Sequence, residues 1–150
     1  MMHSLYKRLH KVFLISAILT LAGCGFSESL TEAEDLIDTF RAHVAENDID
    51  TIYMDIYHPD VRKQLSRQDL TGFMRNYRPS IIKTSSRSRI SWNSNVGTSG
   101  TTVTLVYSGK LNGSSVTEKF VLKSDGDILK LWHYAFNVSD ADALEKNISI

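Results

Sequence analysis

The chain has 150 residues, 17 of them basic and 17 acidic, for a formal net charge of zero, with 42% hydrophobic residues and one cysteine. One thiol excludes an internal disulfide framework and a cysteine-based metal cluster, so stability must come from packing. The length suits a single domain with a two-layer core.

The first element is an export signal. Lys7, Arg8 and Lys11 give a positive flank, and Val12 to Ala22 is apolar except for Ser16 and Thr20. At ~1.5 Å per residue this run is too short for a hydrocarbon core of ~30 Å, which marks it as a signal rather than a transmembrane anchor. It ends in Leu21-Ala22-Gly23-Cys24. Leu, two small residues and Cys resemble the signal box of bacterial lipoproteins, and all four positions match. The resemblance implies cleavage between Gly23 and Cys24, diacylglyceryl attachment to the Cys24 sulfur, and acylation of the new amino group. Gly25 stands where an inner-membrane retention signal often has Asp, which favours an outer-membrane location facing the periplasm.

Residues 1–23 would thus be removed and residues 24–30 would form the lipidated cysteine and a short tether, ~20 Å if extended. The mature 127 residues carry 14 basic and 17 acidic side chains, a net charge of −3. Ten acids and only Arg41 lie in residues 28–60, whereas eight bases and only Asp69 lie in residues 61–89. Without interleaved aromatic residues, this segregation reads as complementary faces of packed helices rather than a nucleic-acid surface.

Ser29 with Glu32 and Thr31 with Glu34 are candidate capping boxes for a helix bearing Ala33, Leu36, Ile37, Phe40 and Val44 on one stripe. Asp48 or Asp50 caps a shorter helix with Ile49, Ile52, Tyr53 and Ile56, ending near His58-Pro59. Another piece begins at Pro59, and Ser66 with Asp69 starts a helix carrying Leu70, Phe73, Met74 and Tyr77. After Pro79 the period becomes two, with strands expected over 87–94, 101–108, 115–123 and 128–138. Asn112-Gly113 and Asp125-Gly126 mark the last two hairpin turns. The expected architecture is α+β over residues 31–138, with helices packed on a four-stranded antiparallel meander. Residues 139–150 form a tail, read as a frayed helix or unstructured.

Helices followed by a curved antiparallel sheet, with a late Asp-Gly hairpin, resemble the nuclear-transport-factor-2-like superfamily. There, helices close a conical sheet around a pocket. The resemblance implies one of three roles: isomerase or dehydratase, ligand binder, or non-catalytic assembly component.

With two-residue turns at both dipeptides, Tyr107, Glu118 and His133 fall side by side across three strands on the face that carries Val103, Leu105, Phe120 and Leu122. A carboxylate beside an imidazole fixes its tautomer and makes a unit for proton transfer. The same three groups could equally satisfy one another's hydrogen bonds within a core. On the other face, Lys119, Trp132 and Tyr134 would form a cation–aromatic patch for a protein partner.

Other chemistry has no signature in the chain. The mature sequence has His43, His58 and His133 without metal-ligand spacing, and neither a Gly-x-Ser-x-Gly elbow nor a phosphate loop. Asp55 falls on the solvent side of its helix. No cofactor, metal or nucleic acid is expected. The sequence points first to a non-catalytic lipoprotein of the cell envelope that binds a protein or a small apolar ligand. The alternative is a small enzyme of ketosteroid-isomerase-like type, in which a Glu118-oriented His133 is the general acid or base.

Overall fold

A computed structural model describes residues 24–140 and 143–149; the expected signal sequence, residues 1–23, lies outside them. Helix α1 spans Cys24–Glu46, so the expected tether is itself helical. Its stripe of Ala33, Ile37, Phe40 and Val44 is fully buried. Glu32 and Glu34 lie inside the helix rather than at its start and bind the sheet instead: the Glu32 carboxylate accepts from the Leu129 amide (2.8 Å), and Arg89 donates to Glu34. The helix ends where Asn47 turns left-handed (φ 59°) and the Asp48 amide reaches back to the His43 carbonyl (2.9 Å).

Asp48 then caps the next turn, accepting from the Thr51 amide at 3.1 Å. That turn, α2 (Ile49–Thr51), widens into a π-helical stretch over Ile52–Ile56, which buries Ile52 and Ile56. Helix α3 (Pro59–Arg62) has Pro at its first position and His58 as its cap. Helix α4 (Arg67–Lys83) opens with the expected Ser66–Asp69 capping box and runs through Pro79, beyond the expected change of period.

The strands are β1 (Ser85–Gly97), β2 (Gly100–Leu111), β3 (Ser114–Asp125), β4 (Ile128–Asp140) and β5 (Ala143–Ser149), in a sheet of order β1-β2-β3-β4-β5 with every pair antiparallel. Residues 143–149 of the tail are therefore an edge strand, not a frayed helix or an unstructured end. Helices before an antiparallel sheet make the fold α+β. The helices cover one face, where Val103, Leu105, Phe120, Leu122, Leu131, Tyr134 and Phe136 meet the α1 stripe and Leu70, Phe73 and Met74 of α4. Each such side chain contributes ~1.5–3 kcal/mol when buried, so this face fixes how the layers dock.

The β2–β3 hairpin has the expected register, with Val103 opposite Leu122 and Tyr107 opposite Glu118. Asn112 and Gly113 both have positive φ, as a tight mirror-image turn requires. The β3–β4 hairpin departs from expectation. Its turn is Gly126-Asp127, since Asp125 faces Ile128, and Leu122 faces Leu131. Farther along, Trp132 is an extra residue: Leu122 faces Leu131, but Val121 faces His133. This bulge reverses the alternation for the rest of β4. Tyr134 and Phe136 turn into the core, both fully buried, and His133 turns to the opposite face. Two aromatic rings gain more from burial there than an imidazole would, and burial sets the register.

Candidate functional site

Glu118 is the most deeply buried charged side chain among the described residues, 1% exposed on the inner face of β3. Its Oε2 accepts from Arg87 Nε (2.6 Å) and an Arg41 terminal nitrogen (3.2 Å), and its Oε1 accepts from the Tyr134 hydroxyl (2.9 Å). Arg87 also donates to the Thr84 carbonyl (2.8 Å) and the Ile81 carbonyl, closing the end of α4 against β1. The Arg41 guanidinium lies over the Tyr107 ring, 4.5 Å from its centre. Burial, and then the Glu118 charge, raise the Tyr134 pKa well above the usual phenol value, so Tyr134 stays a donor. Burial likewise raises Tyr107.

Of the expected row, Tyr107 and Glu118 are brought together and His133 is not. The third member is Tyr134, the residue assigned to the opposite face. His133 lies beside Lys119 on the outer face, and its pKa is depressed by partial burial and then by the Lys119 ammonium. Carboxylate and imidazole therefore lie on opposite sides of the sheet.

The expected Lys119, Trp132 and Tyr134 patch also changes its members. Tyr134 leaves it for the core, and the cation over the Trp132 ring is Lys123, at 4.4 Å. Trp132 also meets the edge of His58 at 5.0 Å. His58 is committed to the fold: its Nδ1 accepts from the Asp60 amide (3.1 Å), leaving Nε2–H to donate to the Ser124 carbonyl (3.4 Å). The outer face that results carries Lys119, Lys123, Trp132 and His133; α1 and α4 pack on the inner face, while α3 adjoins Trp132.

Among the clefts at the domain surface, two bear on the site. One, of ≈ 240 Å³, lies between Trp132 and Asp60, Val61, Gln64 and Leu65. The other, of ≈ 280 Å³, lies between the first part of α1 and the β1–β2 and β3–β4 turns. Neither is lined by Tyr107, Glu118 or His133. Where α1 ends, His43 Nδ1 lies 3.2 Å from Asp48 and 3.8 Å from Glu46, a spacing that could present three ligand atoms to a metal. Asp48 is already engaged there as the cap of α2, and the Thr51 hydrogen bonds lower its pKa. Asp55 is exposed, as expected from its helical position.

Arg41 and Arg87 were not anticipated as partners of Glu118. For Arg41 a signal existed: it is the lone base among ten acids, next to Phe40 on the apolar stripe. For Arg87 there was none, because the bulges that aim β1 are set by its pairing with β2. The charge segregation has the expected outcome in part: Arg67 of α4 pairs with Asp50 of α2, but Arg89 reaches Glu34 from β1, and Arg78 donates to the Val44 and Ala45 carbonyls at the end of α1 (2.7 and 2.6 Å). No family model matches the chain, and no curated protein or solved structure matches it significantly.

Proposed function

We propose that this chain is a lipid-anchored protein of the bacterial cell envelope, acylated at Cys24, whose nuclear-transport-factor-2-like domain is non-catalytic and binds a protein partner through the outer face of its sheet. The observation that carries the proposal is the separation of Glu118 from His133. Glu118 is enclosed by two arginines and Tyr134, neither of the two clefts described above is lined by it, and His133 lies on the other side of the sheet, so these two residues with acid–base potential do not converge on one space. The alternative enzyme would need both on one face. The outer face offers what a partner surface needs: a large aromatic side chain, Trp132, with Lys123 over its ring and Lys119 farther along the same strand as Lys123, suited to an acidic partner.

Among the described residues no helix is long and apolar enough to cross a membrane. Attachment would rest on the acyl chains, since two or three together hold a protein far more firmly than one. Cys24→Ser should give an uncleaved, unlipidated precursor; a mature, membrane-bound Cys24→Ser protein would refute the anchor. For the partner face, crosslinking in cells should capture a protein with the native chain and lose it with Lys119→Glu/Lys123→Glu. Equal capture by a folded double variant would refute that surface.

A further inference from the structure

The two ends of the sheet differ in character, and α1 starts near one of them. Ser29 and Glu32 of α1 share the ≈ 280 Å³ cleft with Val96, Gly100 and Thr101 at the β1–β2 turn and with Gly126, Asp127 and Ile128 at the β3–β4 turn. The hydrogen bond from the Leu129 amide to Glu32 ties α1 to the start of β4 at this end. Because the chain is helical from Cys24, the five residues to Ser29 advance only ~7.5 Å. An extended tether would let the domain tumble over the bilayer; a helix leaves it little freedom.

At the same end, Val96 is 74% exposed and Ile128 53% exposed, two of the five large hydrophobic side chains so exposed among the described residues. The opposite end, a strand length of roughly 40 Å away, presents Lys110, Asn112, Gly113 and Ser115. We propose that the Val96–Gly100 and Asp125–Ile128 hairpin tips form a membrane-contact face, with Val96 and Ile128 entering the interfacial layer of the bilayer that holds the acyl chains. This orientation rests on the lipid-anchor reading. Two partly inserted aliphatic side chains are too weak to recruit the domain on their own, but they bias a tethered one. Exposed Asp125 and Asp127 beside Ile128 suit the amines of zwitterionic phosphatidylethanolamine headgroups and disfavour an anionic surface. In this orientation the outer sheet face stands across the bilayer plane and stays open to a partner.

The test uses the full lipidated protein in phosphatidylethanolamine–phosphatidylcholine vesicles. Acylation consumes the sole native thiol, so Val96→Cys, Ile128→Cys and Ser115→Cys can each carry one environment-sensitive fluorophore. Spin-labelled lipids should quench the labels at 96 and 128 at least threefold more than the label at 115. Equal quenching at all three positions, with the protein floating on the vesicles, overturns the orientation alone. Failure of the native chain to float overturns the anchor, and the orientation with it.

Discussion

Glu118 and Tyr57 are both buried polar residues, with opposite consequences for stability. Glu118 accepts three hydrogen bonds, two of them from guanidinium groups. Glu118→Gln removes the charge that both arginines face and should destabilise the fold by about 3 kcal/mol, because breaking a buried pair leaves uncompensated charge. Tyr57 is fully buried, and its hydroxyl has no hydrogen-bond partner among the described residues. Burial pushes its pKa far above the usual phenol value, so the hydroxyl stays neutral. Tyr57→Phe removes an unsatisfied group and should raise stability by about 1 kcal/mol. Urea unfolding of the two variants checks both signs; a destabilised Tyr57→Phe would mean that the hydroxyl has a partner after all.

At the scale of elements, local chemistry decides where helices start and tertiary burial decides how strands align. The Ser66–Asp69 box is local: the Ser66 hydroxyl accepts from the Asp69 amide and the Asp69 carboxylate from the Ser66 amide, each at 3.1 Å. Ser66→Ala should cost about 1 kcal/mol and speed hydrogen exchange in the first turn of α4, whereas Ser66→Gly should cost only a few tenths. An unchanged urea midpoint for Ser66→Ala would show that packing of Leu70, Phe73 and Met74 holds the helix without its cap. The β4 bulge is the non-local case. Leu129 and Leu131 alternate in one phase, and Tyr134, Phe136 and Val138 in the other. This slip is visible in the sequence as a break in period two, yet a turn-based register assumes unbroken pairing and passes over it.

Across the whole molecule, ionisable groups give stability a two-step dependence on pH. The imidazole of His133 has its pKa depressed below the unfolded value of ~6.5 by burial and Lys119, so the fold favours its neutral form. Its contribution is complete above about pH 6.5 and is lost as pH falls through the lower folded value. Asp48, Asp60 and Asp69 have their pKa values lowered by hydrogen bonds from Thr51, Lys63 and Ser66 respectively. They favour the ionised form in the fold, so their contribution is present above about pH 4 and lost as pH falls below it. Urea midpoints should be flat above about pH 7, fall slightly as pH drops below about 6.5, and fall again below about pH 4. His133→Gln should shrink the first step and leave the second; an unchanged first step would show that His133 does not carry it.

Chain-local features were legible without coordinates: the α1 stripe, the caps at Asp48 and Ser66, and the Asn112-Gly113 hairpin all depend on residues a few positions apart. So was the α+β class, since a change of hydrophobic period from helical to alternating is a property of the sequence itself. Which polar residues meet is a different kind of fact. Arg41, Arg87, Glu118 and Tyr134 come from a helix and three strands, and one extra residue at Trp132 exchanged His133 for Tyr134 inside the core. Tertiary packing decided that exchange, because the free energy of burying aromatic area outweighs the preference of any single turn for unbroken pairing.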